Sequence, residues 1–339
     1  MLLISIFAMS ISSPLSSRRV GAKVLLAATL CVLCSAALAD NWPSRPIRFV
    51  VPFGPGGAND LVARAVADGV SRQLGQPVVV ENKPGAGSVL GADVVAKAAP
   101  DGYTFLTPAA GIITNAMIKA HMPFKESDLV PVAMMAVSPS VIVVPADSPI
   151  KDLKGLVAAS KTAKGLNFST AGTGSTPHFV AEMLKHQSGA RLEVIPYKSG
   201  SDGVVAVIGK QVDATSEASV VVLPQIKGGK LKALAVTSPT RLAALPQVPT
   251  AVEAGLKGFN LDSWFALYAP KDTPPQVQQR FNDALRLVMK TEAFKAAQIA
   301  SGIQVVQDER ATLAGHKAFL SKETARWRPI IKAAGVYAD

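Results

Sequence analysis

A strand that runs directly into a glycine-rich turn and then into a helix recurs along this chain. That recurrence limits the fold more than any other feature of the sequence. Ile47-Arg48-Phe49-Val50-Val51 has the β-branched, apolar character of a buried strand. Pro52 to Asp60 follows as a turn, and from Asn59 the pattern becomes helical, with Val62, Val66, Val70 and Leu74 on one face. Gly75 stands where a left-handed residue ends a helix. Val78-Val79-Val80 is the next strand, a second turn spans Gly85 to Gly91 and opens another helix, and Tyr103-Thr104-Phe105-Leu106 is a third strand. Strand–helix–strand units of this kind build parallel sheets with right-handed crossovers, so the predicted fold class is α/β.

The pattern restarts in the second half. Asn167-Phe168-Ser169 leads into a loop from Thr170 to Pro177, and a helix then carries His178, Glu182 and Lys185. Leu192 to Pro196 is a strand, Ser199 to Gly203 a turn, and a helix runs on to Gly209. Leu231 to Val236 is a further strand, while Pro274–Lys290 and Arg310–Ala334 read as amphipathic helices. Leu129 to Ala146 is strongly apolar, but Pro131, Pro139 and Pro145 interrupt it, which predicts buried strands rather than a membrane span. Two similar lobes fit this order. Val141–Pro145 and Trp264–Ala269 are the expected crossings, which makes lobe 1 discontinuous (40–140 plus 265–339) and lobe 2 residues 141–264. Two crossing strands would form a hinge beside an interlobe cleft.

The leading 39 residues read as an export signal. Arg18, Arg19 and Lys23 precede an apolar run from Val24 to Leu33, and Ala37-Leu38-Ala39 supplies the small residues of a cleavage site before Asp40. The run is shorter than the roughly 20 apolar residues a membrane span needs. Ser17-Arg18-Arg19 partly matches a twin-arginine signal, so export by either route, Sec or twin-arginine, leads to the expected periplasmic location. The only cysteines, Cys31 and Cys34, fall inside this segment, which leaves residues 40–339 with neither a thiol nucleophile nor a disulfide. Net charge is +11, yet after residue 40 no two Lys or Arg are adjacent and aromatics are only 6%. That diffuse field suits small anions better than nucleic acid, which is read by clustered cations and stacking rings.

The candidate chemistry lies in the loops. Phe53-Gly54-Pro55-Gly56-Gly57-Ala58-Asn59-Asp60 ends at a helix start, where free N–H groups and the helix dipole favour a carboxylate or phosphate. A plain turn capped by Asn59 or Asp60 would have the same composition. Thr170 to Thr176 repeats the arrangement, adding the hydroxyls of Thr170, Thr173, Ser175 and Thr176. Both loops follow strands, and open α/β sheets bind ligands at that end. Enzyme patterns are incomplete. Gly85 to Gly91 has one residue too many for a dinucleotide fingerprint, the P-loop lysine is missing after Gly57, and Ser175 lies on no nucleophile elbow. His121, His178, His186 and His316 lack metal-ligand spacing, so neither a metal nor a cofactor is expected.

Pro52 to Asp60 with Arg64, Glu81-Asn82-Lys83-Pro84-Gly85-Ala86-Gly87, Pro100-Asp101-Gly102-Tyr103-Thr104, Pro196-Tyr197-Lys198, Gly209-Lys210-Gln211-Val212-Asp213, and Pro249-Thr250 through Gly255 with Trp264 occur in one order. In this the chain resembles the Bug (TctC-like) extracytoplasmic solute receptors over residues 42–339. The resemblance implies a two-lobed type II periplasmic-binding-protein fold with a two-strand hinge. It also implies a small carboxylate or amide ligand, transient docking to the membrane subunits of a tripartite tricarboxylate transporter, and a monomer that converts nothing. By position it implies ligand contacts at Phe53, Gly54, Pro55, Gly56, Gly57, Ala58, Asn59 and Asp60, at Thr107, and at Ser169, Thr170, Ala171, Gly172, Thr173, Gly174, Ser175, Thr176, His178 and Tyr197. For Asp60 it favours a ligand-facing carboxylate that would prefer an amine, against helix capping. Leu106 to Gly111 departs from the family pattern. A ligand-sensing partner of a signalling receptor would use the same cleft, and a periplasmic enzyme would need an acid–base pair there that the sequence does not display.

Overall fold

The computed structural model describes residues 42–162 and 164–335. Contacts divide the chain after Ser44, and the unit that begins at Arg45 carries every element named below. The segment 1–39, read as an export signal, lies outside the described residues.

The chain begins one sheet, leaves it for a second, and returns. β1 (Ile47–Val51), α1 (Ala58–Leu74), β2 (Val78–Asn82), α2 (Val89–Ala96), β3 (Thr104–Leu106), α3 (Gly111–Ile118) and β4 (Leu129–Ser138) come first. After Pro139, β5 (Ser140–Pro145), α4 (Leu153–Ser160), β6 (Leu166–Thr170), α5 (Thr176–Ser188), β7 (Leu192–Pro196), α6 (Gly200–Ile208), β8 (Ala214–Ala218), α7 (Ser219–Lys227) and β9 (Leu231–Val236) build the second sheet and its helices. β10 (Ser263–Pro270), α8 (Pro275–Lys290), α9 (Glu292–Ala300), β11 (Gln304–Val305) and α10 (Leu313–Ala334) return to the first. The strand orders are β11-β4-β10-β3-β1-β2 and β7-β6-β8-β5-β9. β1 pairs in parallel with β2 and β3, and β6 in parallel with β7 and β8, whereas β10 runs antiparallel to β4 along its whole length. The result is a two-lobed α/β fold.

Side-chain periodicity explains how the helices cover the sheets. α1 buries Val62, Ala63, Val66, Ala67 and Val70 and ends at Gly75, whose φ of 68° is left-handed. α8 buries Val277, Phe281, Leu285 and Val288, the face predicted from sequence. Phe281 stacks on Phe105 at 4.2 Å between ring centroids and tilts against Phe49 at 5.9 Å, so one aromatic cluster fastens α8 to β1 and β3. The expected helix from Arg310 is instead a 3₁₀ turn, Glu309–Ala311, followed by α10. Thr312 separates them because its hydroxyl accepts the Gly315 N–H and caps a new start.

Small hydroxyl residues occupy the crossings between sheets. Ser138 shares a hydrogen bond with Ser219 at 2.8 Å, Ser219 donates to the Gly302 carbonyl at 2.7 Å, and Thr237 donates to the Leu261 carbonyl at 3.0 Å. These groups are buried and paired, and so avoid the cost of an unsatisfied polar atom.

Truncating the aromatic cluster tests this packing. Phe281 is fully buried, and Phe281→Ala is expected to destabilise by about 3–5 kcal/mol, read as a lower urea midpoint with an unchanged slope.

Candidate functional site

The C-terminal ends of β1 and β6 face each other across the lobes. From β1 the loop Pro52–Gly57 leads to α1, whose first turn no side chain caps. From β6 the loop Ala171–Ser175 leads to α5, where the Ser175 hydroxyl accepts the His178 N–H and Pro177 occupies the first turn. The loops meet through backbone. Gly54 N–H donates to the Lys198 carbonyl at 3.1 Å, and the Ser201 hydroxyl donates to the Pro55 carbonyl at 3.1 Å. From α3, the Thr114 hydroxyl donates to the Gly174 carbonyl at 2.8 Å, while Asn115 Nδ2 donates to the Gly87 carbonyl at 2.7 Å within lobe 1. Gly87, with a φ of +64°, lies so close to Thr173 that a Cβ would collide with that residue's carbonyl oxygen.

Two chambers lie between the loops. The inner one, about 30 Å³, is lined by Phe53, Gly57, Ala58, Asn59 and Ala109, by Ser263 and Phe265 of β10, and from the second sheet and its helices by Ala171, Ser175, Thr176, Pro177, Gly200 and Glu217. The outer one, about 320 Å³, is lined by Pro52, Gly85 to Ser88, Lys119, Gly172, Thr173 and Pro196 to Lys198, and shares Phe53 and Ala171 with the first. The inner chamber holds no more than one or two waters. A wider groove of about 740 Å³ is lined by α3, β4, β10 and α10 and by none of these loops.

Of the residues expected from sequence, Phe53, Gly57, Ala58, Asn59, Ala171, Ser175 and Thr176 line the inner chamber, and Gly172, Thr173 and Tyr197 line the outer one. Gly54 and Pro55 are engaged in closing contacts between lobes. Thr107, Ser169, Thr170, Gly174 and His178 line neither chamber. The Thr107 carbonyl accepts Asn59 Nδ2, the Ser169 hydroxyl donates to the Gly203 carbonyl, and the Thr170 hydroxyl accepts the Gly172 N–H. His178 Nδ1 accepts the Gly174 N–H, and burial depresses its pKa, which favours the neutral ring. Gly56 and Asp60 belong to one brace outside both chambers. The Asp60 carboxylate accepts the Gly56 N–H at 2.9 Å, Arg64 Nε at 3.0 Å and Asn82 Nδ2 at 2.9 Å. Burial alone would raise the Asp60 pKa, but these donors outweigh it and hold the carboxyl below its ordinary value. In this arrangement Asp60 does not cap α1; it tightens the loop that carries Gly57.

Sequence reasoning missed Glu217. It sits near the end of β8 and is almost fully buried, and its Oε1 accepts the Ala218 N–H at 2.8 Å. Continuing the parallel register from Ser169↔Thr215 places it level with Ala171. Gly200 faces it without a side chain, and a Cβ there would collide with the carboxyl. Burial raises the Glu217 pKa to about 7, with the Ala218 N–H opposing. Among the described residues no group of three or more His, Cys, Asp or Glu is placed to hold a metal ion.

With this geometry in hand, the chain can be set beside known proteins. Residues 62–336 match the model of the TctC family, described as the tripartite tricarboxylate transporter family receptor, and the chain belongs to that family of periplasmic solute-binding proteins. It is 37% identical over 305 residues to protein BugT of Bordetella pertussis, which covers 88% of this chain and 91% of that one. The periplasmic binding protein BugD is similar in structure at a TM-score of 0.84 and 34% identity, covering 88% of this chain and all of BugD. Rpa4515 of R. palustris, solved with adipate, matches at a TM-score of 0.83 and 28% identity over 87% of this chain and 99% of its own.

Glu217 has a measurable consequence for stability. A folded value near 7 against about 4.5 unfolded means that the folded chain holds this proton more tightly. The contribution is complete below about pH 4.5 and is lost as pH rises through 7, by roughly 3 kcal/mol at most. Asp262, raised to about 6 by burial, slopes the same way, so the difference between wild type and Glu217→Gln isolates the residue. Chemical denaturation of ligand-free protein from pH 4.5 to 8 is expected to show wild type losing stability relative to the variant; parallel profiles would exclude a raised pKa.

Proposed function

We propose that this chain is a periplasmic receptor that captures a small carboxylated compound between its lobes and delivers it, unconverted, to the membrane subunits of a tripartite tricarboxylate transporter. Residues 1–39 would direct export and be removed. Lobe 1 would comprise 40–140 and 265–339, and lobe 2 141–264. The observation that carries the reading is the meeting of two glycine-rich loops, one per lobe, around a chamber onto which the starts of α1 and α5 converge. Backbone N–H groups at helix starts supply anion contacts without a cationic side chain. Adipate in the related Rpa4515 is a carboxylate of this kind.

A thermal-shift screen of small mono- and dicarboxylates tests the reading. A true ligand at 100 times its Kd is expected to add about 2.7 kcal/mol, and mass analysis after prolonged incubation should recover it unchanged. Gly87→Ala places a methyl against the Thr173 carbonyl and should weaken that ligand at least about tenfold, since closure is obstructed, while the strain at a left-handed residue costs only about 1–2 kcal/mol of stability. Wild-type affinity in this variant would mean that the lobes do not close on the ligand, and a product in the mass spectrum would make the protein an enzyme.

A further inference from the structure

Glu217 is not explained by the receptor reading alone. A pocket that captures carboxylates gains nothing from a carboxyl of its own, because two like charges in a desolvated cavity repel. Among the described residues no lysine, arginine or histidine lines the inner chamber; opposite Glu217 its lining is Phe53, Gly57, Ala58, Asn59 and Ala109, with Ser263 and Phe265 of β10. Lys119 and Lys198 line the outer chamber instead. Glu217 makes one hydrogen bond, through Oε1 to its neighbour's N–H, and Oε2 has no hydrogen-bond partner among the described residues. That leaves one carboxyl oxygen open to a ligand in the chamber that Glu217 lines.

Two further features show that the site is built around this side chain. Gly200 is held to hydrogen beside the carboxyl, since a Cβ would overlap it. Thr176, also in the chamber lining, is nearly fully buried, and its hydroxyl has no partner among the described residues. The chamber thus combines N–H groups of two helix starts with an acceptor-rich carboxyl, which is the complement of a molecule that is anionic at one end and a hydrogen-bond-donating cation at the other.

We propose that Glu217 determines the specificity of the cleft and that the ligand is a small compound carrying a protonated amine in addition to a carboxylate. The inference rests on the receptor reading given above and narrows its ligand class. The ligand carboxylate takes the uncapped N–H groups at the start of α1 and the Thr176 N–H that opens α5, and its ammonium takes the free oxygen of Glu217. A diacid of the same length brings a second negative charge to that oxygen and is disfavoured unless Glu217 is first protonated. The amine preference expected of Asp60 from sequence is here carried by a residue of the other lobe.

Calorimetry with matched pairs tests this: L-aspartate against succinate, L-glutamate against glutarate, and γ-aminobutyrate against butyrate, each with wild type and Glu217→Gln at pH 8. In at least one pair the amine-bearing member is expected to bind wild type about tenfold or more tightly, as suits a charge-assisted bond in a desolvated site. Glu217→Gln should erase that preference while leaving or improving the affinity of the amine-free partner. If wild type binds the amine-free members as tightly, or if the preference survives in the variant, the inference fails and the receptor reading stands. If no member of either series binds wild type, the inference fails, while the carboxylate screen above decides the receptor reading on its own. The wild-type comparison needs no variant, so a poorly folded Glu217→Gln leaves the test intact.

Discussion

Gly54 donates its N–H to the Lys198 carbonyl, Ser201 reaches the Pro55 carbonyl, and Thr114 reaches the Gly174 carbonyl. Each contact joins one lobe to the other, and each involves main chain that only small residues leave accessible. This close approach of backbones is the constraint on which the site depends. It accounts for Gly87 beneath the Thr173 carbonyl and for the small size of the inner chamber. It also accounts for the brace at Asp60, whose bonds to Gly56, Arg64 and Asn82 hold the loop in the shape that closure needs. Hydrogen bonds of this kind contribute only about 1 kcal/mol each, so a few of them can close a cleft without locking it.

The hinge region follows the same economy. Ser138, Ser140, Ser219, Thr237 and Ser263 are buried where the chain passes between sheets, and their hydroxyls pair with one another or with carbonyls. Short hydroxyl side chains satisfy the crossing backbone without adding bulk. Farther from the cleft, Phe179 of α5 packs on Trp327 of α10 at 4.6 Å, an aromatic contact between helices attached to different sheets.

Much of this was legible in the sequence wherever hydrophobic periodicity was strong. Ile47–Val51, Leu192–Pro196 and Leu231–Val236 coincide with β1, β7 and β9, and the buried face of α8 was readable from Val277, Phe281, Leu285 and Val288. Periodicity failed at β8, where Ala214-Thr215-Ser216-Glu217-Ala218 has no large apolar residue although all five positions are buried. Its burial comes from β5 and β6 on either side, which no local pattern reveals. Glu217 was invisible for that reason. Asp60 was visible, and the family resemblance favours a ligand-facing role for it; its partners Arg64 and Asn82 lie 4 and 22 residues away. Only the i+4 partner lies within reach of helix-spacing arguments. α3, Gly111–Ile118, shows no such signal, because Ala109 to Ile118 mixes small and β-branched residues without a capping side chain.

The central claim is that the lobes close on a ligand by bringing these loops together. Residues 40–339 contain no cysteine, so single labels can be placed at Lys154→Cys on α4 and Leu287→Cys on α8, both exposed and on different lobes. Distance between the two labels, measured by pulsed electron spin resonance, is the most direct test. The account predicts a broad, open-weighted distribution without ligand that collapses to one narrow population when the tightest carboxylate is saturating. An identical distribution with and without that ligand would contradict it.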